Sequence, residues 1–215
     1  MNDIFSRRYK KYDAWYDRHK WAFLSELEAV RKVLPRGRRG LEIGVGTGRF
    51  AAALGVTLGI DPSSRMLTLA RRRGVHGRVA YGEDIPFPGV SFDYVVIIIA
   101  LCFVRDPRKV LQEARRVLKK NGKIVVGIVD KESFLGRFYH KKKSIFYQQA
   151  KFFSVREVTD MLREAGFVSF SYYQTLSRLP GSIFSVEKPQ KGFGRGGFVV
   201  IGAKKGREVR RGCCF

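Results

Sequence analysis

One glycine-rich loop, residues 42–48 with the sequence EIGVGTG, constrains the fold of this chain more than any other segment. It lies between a short apolar stretch at residues 41–45, which is typical of a strand, and a predicted helix at residues 48–54. Glycines let a backbone turn sharply and approach a ligand closely, and the start of a helix offers free N–H groups. The same glycines would also serve a tight turn packed against a sheet, so both roles stay open at this point.

After residue 40 the chain alternates between strand-like and helix-like patterns. Strands are predicted at residues 41–45, 56–60, 78–81, 92–99 and 123–129, and helices at 48–54, 63–73 and 107–119. A helix at 154–165, capped by Ser154 and Glu157, is followed by two strands, 167–175 and 197–203, that suggest an antiparallel pair. Strand–helix alternation of this kind predicts an α/β fold, a mostly parallel sheet with helices on both faces.

The remaining segments suggest a division of the chain. Apolar residues between 21 and 33 recur at roughly helical spacing and predict one helix over residues 13–34, ended by Pro35 and Gly37. We therefore expect a helical cap at residues 1–39, a main domain at 40–203 and a frayed basic tail at 204–215. Residues 130–153 form an irregular insertion that is longer than the ~2–6 residues of an ordinary connection.

Charge and composition limit the partners. The chain has 42 Lys and Arg against 19 Asp and Glu, a net charge of +23, which predicts attraction to an anionic partner. RNA, a small anionic substrate and a solvated surface are the three interpretations of this excess. The positive residues are spread along the chain and no recognised RNA-binding module accompanies them, so general attraction is favoured over a designed groove. The sequence does not indicate the oligomeric state.

The cysteines and the hydropathy pattern indicate the compartment. The three cysteines, Cys102, Cys213 and Cys214, suggest neither a disulfide framework nor a zinc site. No apolar run approaches the ~20 residues that span a bilayer, and the N-terminus lacks an apolar signal core. We therefore expect a cytoplasmic protein that does not insert into membranes and holds no metal.

Two acids near the glycine loop indicate which ligand it binds. Asp61 follows the second predicted strand, where its carboxylate can accept both hydroxyls of a ribose. Glu42 lies two residues before the first glycine, where its charge would repel a pyrophosphate but attract an amino group and a sulfonium. The pattern therefore favours S-adenosylmethionine over a dinucleotide.

Four segments of the chain match a known family in order and spacing. They read LEIGVGTGRF from residue 41, GIDPSSRML from 59, GEDIPFPGVSFDYVV from 82 and RVLKKNGKIVVG from 116. With them the chain resembles the class I S-adenosylmethionine-dependent methyltransferases of the small type-11 group, related to ubiquinone-biosynthesis methyltransferases. Residues 152–167 also resemble that family's final helix and strand. The resemblance implies a Rossmann-like sheet of seven strands with the last strand antiparallel.

The resemblance also implies a cofactor site for S-adenosylmethionine. The positions that the resemblance assigns to this site are Glu42, Gly44, Gly46, Gly48, Asp61, Pro62, Met66, Gly82, Glu83 and Ala100. The three loop glycines would line the methionine half, Asp61 would hold the ribose, and Pro62 and Met66 would pack near the adenine. Relatives often carry an aspartate where this chain has Tyr81, so the backbone near Gly82 or the Glu83 carboxylate would have to contact the adenine edge.

The acceptor site is expected beyond the carboxyl ends of the strands. Direct displacement from a sulfonium depends on alignment and desolvation, so it needs no obligatory nucleophile or metal, and the catalytic residues stay unknown. Candidate substrate-binding residues are Tyr12, Tyr16, Cys102, Tyr139 and Tyr147. Packing roles are the alternatives for Tyr16 and Cys102. His19 and His140 are candidate general bases or solvated surface residues.

The aromatic and basic insertion at residues 130–153 suits a lid over an anionic or aromatic acceptor. Its aromatics could instead pack against the N-terminal helix. We expect an enzyme that methylates a small molecule. An RNA methyltransferase and a non-catalytic cofactor- or nucleic-acid-binding subunit are the alternatives, although the intact loop and Asp61 disfavour the second.

Overall fold

The computed structural model of the chain describes residues 3–35, 39–142 and 144–207. In this part of the chain the strands are β1 (Gly40–Ile43), β2 (Leu58–Asp61), β3 (His76–Val79), β4 (Phe92–Ile98), β5 (Leu118–Val129), β6 (Phe167–Thr175), β7 (Gln190–Lys191) and β8 (Phe198–Lys205). The helices are α1 (Asp3–Arg18), α2 (Lys20–Arg31), α3 (Arg49–Leu54), α4 (Ser64–Arg72), α5 (Pro107–Val117), α6 (Phe134–Lys141) and α7 (Val155–Glu164). None of the helices in these ranges is long and apolar enough to cross a membrane.

The strands form one sheet in the order β3–β2–β1–β4–β5–β8–β6–β7. The first five in this order are parallel, whereas β8 runs antiparallel between β5 and β6. The expected Rossmann-like, mostly parallel sheet with an antiparallel last strand is therefore confirmed. The described residues form eight strands rather than the expected seven. The additional strand is β7, which the sequence pattern does not predict because it is only two residues long and shows no alternation.

Helices cover both faces of the sheet, as predicted. Along β4, Val95 and Ile97 belong to the core under α5 and α7, whereas Val96 and Ile98 belong to the core on the opposite face. The second core also takes in Leu27 of α2 and other apolar residues of α3 and α4. This burial on both faces explains why β4 reads as a continuous apolar run in the sequence.

The N-terminal region differs from the single helix predicted over residues 13–34. Two helices, α1 and α2, meet at His19, whose φ of −118° and ψ of 43° are not helical. The break lets α2 pack its apolar face on the sheet while α1 turns towards α4. Arg49 and Arg73 fix α1 in this position, since both guanidinium groups donate to the carboxylate of Asp13. Gly37, part of the predicted helix end, lies outside the described residues.

The insertion at 130–153 is also more ordered than expected. It contains α6, whose first turn is capped by Ser133 through a 3.0 Å bond from the backbone N–H of Gly136 to Oγ. A short 3-10 turn, Tyr147–Gln149, follows. The predicted capping box of α7 is confirmed, because Ser154 and Glu157 bond each other's backbone N–H groups.

The predicted tail begins too early, because Lys204 and Lys205 are the last two residues of β8. They pair with Val168 and Phe167 of β6, which extends the antiparallel ladder. Residues 208–215, which include Cys213 and Cys214, lie outside the described residues.

Candidate active site

The glycine loop adopts a conformation that requires glycine. Gly44, Gly46 and Gly48 have φ values of 70°, 53° and 79°, in the left-handed region that side chains disfavour. A Cβ on Gly44 would also collide with the Cβ of Ala100, because the loops after β1 and β4 lie against each other here. The loop therefore places bare backbone at the carboxyl edge of the sheet, where ligands of open α/β sheets bind.

Asp61 at the end of β2 holds this loop in place. Its Oδ2 accepts a 2.9 Å hydrogen bond from the N–H of Gly46, and its Oδ1 accepts one of 2.8 Å from the N–H of Ser63. Burial raises the pKa of Asp61 to about 6, although these two bonds favour the charged form. Because each carboxylate oxygen has two lone pairs, Asp61 can still accept further hydrogen bonds from a ligand.

A pocket opens between the loop, Asp61 and the loop after β4. Eight of the ten expected cofactor-binding residues line it: Gly44, Gly46, Asp61, Pro62, Met66, Gly82, Glu83 and Ala100. Phe5, Ser6 and Tyr12 of α1 close it from above. Sequence reasoning missed Phe5 and Ser6, because the predicted helix began only at residue 13.

The other two expected residues lie behind the pocket wall. Gly48 is the residue before α3, and a Cβ there would meet the Cα of Ala70 at 2.9 Å, so it allows α3 and α4 to pack closely. Glu42 is buried under the loop, and its Oε2 has no hydrogen-bond partner among the described residues. Burial raises the pKa of Glu42 well above its ordinary value, and the nearby Asp61 carboxylate adds to this.

The adenine end of the predicted site has a distinctive arrangement. Oε1 of Glu83 accepts hydrogen bonds of 2.9 and 3.2 Å from the backbone N–H groups of Arg105 and Asp106, before the start of α5. Tyr81 lies partly exposed at the pocket rim, with the Arg105 guanidinium 5.9 Å from the centre of its ring. Oε1 of Glu83 is thus engaged by the protein, and both Glu83 and the backbone at Gly82 line the pocket.

A second cavity, of about 730 Å³, lies next to the pocket and is called the aromatic cavity here. The two share a wall that consists of Phe5, Tyr12, Ile99 and Phe103. Its volume falls within the ~300–1,000 Å³ of typical small-molecule sites. The aromatic cavity is therefore placed to hold a second ligand beside whatever fills the pocket.

Four tyrosines from two segments line the aromatic cavity. Tyr12 and Tyr16 of α1 share a 2.8 Å hydrogen bond between their hydroxyls. Tyr139 of α6 stacks on Tyr147 with their ring centres 4.2 Å apart. All four were predicted to bind substrate, and the structure brings them together.

The insertion also packs on the N-terminal helix, which was the alternative to a lid. The ring of Phe146 lies 5.4 Å from that of Phe5 and 5.9 Å from that of Tyr12. The two segments thus enclose the aromatic cavity jointly.

The other candidates are placed differently. Cys102 lines neither cavity, its Sγ donates to the carbonyl of Ile99 at 3.7 Å, and burial raises the pKa of its thiol to about 12. His140 is exposed on α6. His19 lines the aromatic cavity, and burial, with Arg18 and Lys142 nearby, lowers its pKa.

Sequence reasoning missed one acidic residue of the aromatic cavity. Glu26 of α2 is only 2% exposed, and burial raises its pKa to about 8. It lies four residues after Ala22 and four before Val30, both fully buried, so helical periodicity alone would have placed it on the apolar stripe. The turn Pro180–Ser182, for which the pattern gave no signal, closes the same cavity.

No group of three or more His, Cys, Asp or Glu residues that could hold a metal ion occurs within residues 3–35, 39–142 and 144–207.

Comparisons with known proteins agree with the geometry. The family model described as a methyltransferase domain, Methyltransf_11, matches residues 41–126. A solved structure from Thermotoga maritima, described as a SAM-dependent methyltransferase and possible histamine N-methyltransferase, superposes with a TM-score of 0.92 at 47% identity, over 94% of this chain and 98% of that one.

Two sequence relatives extend the comparison. An uncharacterized protein of Methanocaldococcus jannaschii is 43% identical over 94% of this chain and 99% of its own length. A demethylmenaquinone methyltransferase of Geobacillus sp. is 30% identical over 78% of this chain and 88% of its own length.

Proposed function

Because the chain belongs to the type-11 group of class I S-adenosylmethionine-dependent methyltransferases, we propose that it methylates a small molecule held in the aromatic cavity. The observation that carries this proposal is the wall shared by the two cavities, which would separate a cofactor in the pocket from an acceptor by a few side chains. The Thermotoga maritima structure is described as a possible histamine N-methyltransferase and the Geobacillus relative as a demethylmenaquinone methyltransferase, and both descriptions name a small acceptor.

The residues of the pocket fit S-adenosylmethionine. The glycine loop forms a cradle that a Cβ at Gly44 would fill, and Asp61 offers oxygen lone pairs at the end of β2. In this proposal Asp61 accepts the ribose hydroxyls, and the backbone at Gly82 or the Glu83 carboxylate, whose Oε1 the protein already engages, serves the adenine edge. Burial raises the pKa of Glu42 well above its ordinary value, so the expected repulsion of a pyrophosphate by a charged Glu42 is not supported.

The chain's own residues would align the reaction and exclude water. When bound, S-adenosylmethionine would supply a methyl group on its sulfonium; a lone pair of the acceptor would form the new bond to that carbon while the electron pair of the C–S bond stays on sulfur. The ring of Tyr12 borders both cavities, so its face can attract a cationic centre at the boundary. The aromatic walls keep the acceptor desolvated and in line, which is the main requirement of a direct displacement.

Calorimetric titration tests the cofactor assignment. We expect S-adenosylmethionine and S-adenosylhomocysteine to bind at micromolar concentrations, as enzyme substrates commonly do, and a nicotinamide dinucleotide not to bind. Binding of the dinucleotide alone would contradict the proposal.

A labelled-methyl assay tests the acceptor class. We expect label from the cofactor to enter components of a metabolite extract and not cellular RNA, since the aromatic cavity has the volume of a small-molecule site. Label in RNA alone would contradict a small-molecule acceptor and would indicate an RNA methyltransferase that uses its basic surface. Label in neither would favour a non-catalytic subunit.

A further inference from the structure

The aromatic cavity contains a buried carboxyl group whose environment the fold does not explain. Glu26 is 2% exposed, and its Oε2 has no hydrogen-bond partner among the described residues. Burial of an unpaired ionisable group is costly, and such groups are normally paired or replaced by apolar residues. Glu26 lies on the buried face of α2 with Ala22, Leu27 and Val30, where an unpaired carboxyl group destabilises the fold, so stability does not account for it.

The surroundings of Glu26 suit a positive charge. Tyr12, Tyr16, Tyr139 and Tyr147 all lie close enough for its charge to raise their pKa values. Aromatic faces attract cations, most strongly when these are desolvated.

The other titratable or charged side chains that line the cavity stay apart from this carboxyl group. They are Lys11, Arg18, His19 and Lys142, and none of them bonds to Glu26 in the described residues. Next to these tyrosines the cavity thus has a buried carboxyl group that forms no ion pair with any described residue.

We propose that the methyl acceptor is a primary or secondary amine that enters the aromatic cavity as an ammonium ion and is bound by the Glu26 carboxylate among the tyrosines. This inference rests on the proposed function, since it names the substrate class of the same site. It also assigns a role to a residue that neither the glycine loop nor the family motifs include.

Glu26 would both bind the amine and accept its proton. An ammonium nitrogen has no lone pair, so one proton must leave it before reaction, and it goes to the carboxylate of Glu26. The freed nitrogen lone pair forms the new N–C bond while the electron pair of the C–S bond stays on sulfur, which yields a methylammonium product. A pKa of about 8 lets this carboxyl hold a proton near neutral pH.

Calorimetry on the protein saturated with S-adenosylhomocysteine tests the assignment through binding alone. The probes are a panel of short amines, including phenethylamine and histamine, each matched by the alcohol of the same shape. We expect an amine to bind at least tenfold more tightly than its alcohol. Because the ammonium ion ionises Glu26, binding should also release a proton, which measurements in buffers of different ionisation enthalpy detect.

Two variants on the same helix separate charge from structure. Glu26→Gln keeps the shape and should weaken amine binding by about 10- to 100-fold, the range for hydrogen bonds to a charged group, and abolish the proton release. Glu28→Gln makes the same chemical change at an exposed position, where Glu28 accepts a hydrogen bond from Arg31, and should change neither amine binding nor proton release. Both variants should bind S-adenosylhomocysteine as the wild type does.

The possible results separate this inference from the proposed function on which it rests. Failure of every amine to bind, equal affinity for amines and alcohols, or unchanged amine binding in Glu26→Gln overturns the inference while leaving the proposed function intact. Failure of S-adenosylhomocysteine to bind the wild type would instead overturn the proposed function.

Discussion

Replacing Glu26 by Gln should make the ligand-free protein more stable. In the unfolded chain this carboxyl has its ordinary pKa of 4.5 and is ionised at pH 7, whereas burial raises its pKa to about 8 in the folded protein. Between pH 4.5 and pH 7 the folded protein keeps this proton, whereas the unfolded chain releases it. At ~1.36 kcal/mol per pH unit, this difference lowers the free energy of unfolding by about 3 kcal/mol at pH 7. Gln is neutral at every pH, so the variant should recover that amount.

The pH dependence identifies the cause. The raised folded-state pKa means that the cost is absent below pH 4.5, grows as the pH rises and levels off above about pH 8. Guanidinium unfolding should therefore show a gain of about 3 kcal/mol at pH 7 and almost none at pH 4, with an unchanged slope against denaturant.

Two outcomes would refute this reasoning. A variant no more stable than the wild type at pH 7 would mean that Glu26 has a partner in the folded protein. An equal gain at pH 4 and pH 7 would mean that packing, not ionisation, is responsible. Glu28→Gln, the exposed change on the same helix, should alter stability at neither pH by more than ~0.5 kcal/mol.

Three further predictions concern the pocket, the insertion and the N-terminal helix. Asp61→Ala should weaken S-adenosylhomocysteine binding by ~1.5–3 kcal/mol in calorimetry, and unchanged affinity in the folded variant would place the ribose elsewhere. Changing Tyr139 and Tyr147 to Ala should cut turnover while cofactor affinity stays within about threefold; a lower Tm with normal turnover would make the insertion purely structural. Burial alone would raise the pKa of Asp13, but hydrogen bonds from Arg49 and other groups lower it to about 2 from 3.8. Above pH 3.8 the unfolding free energy of the wild type should therefore exceed that of Asp13→Asn by roughly 1 kcal/mol, after allowance for solvent screening. This difference should disappear as the pH falls through about 2. A difference that does not change with pH would contradict the ion pairs.

The parallel half of the fold could be predicted because its signals are local. The glycine loop, the apolar run of β4 and the cap of α7 each depend on residues close together in sequence. The break at His19 could not be predicted in this way. Residues on both sides favour a helix, and the change of direction comes from tertiary ion pairs between Asp13 and two arginines on α3 and beyond α4.

In the candidate site, too, the residues that belong to local motifs could be predicted, whereas those placed by tertiary packing could not. Motif residues such as Asp61 fall where expected, because the carboxyl ends of neighbouring parallel strands meet at one edge. Glu26 and Phe5 join the site only through the packing of α1 and α2 over that edge, which no motif records. Cys102 shows the opposite error, because position next to a strand end does not fix the direction of a side chain.

The structure of the complex with S-adenosylhomocysteine tests the central claim most directly. The account predicts that the ribose hydroxyls bond the carboxylate of Asp61 and that the sulfur faces the wall beside Tyr12, towards the aromatic cavity. A ligand bound outside the pocket, or a sulfur that faces away from the aromatic cavity, would contradict it.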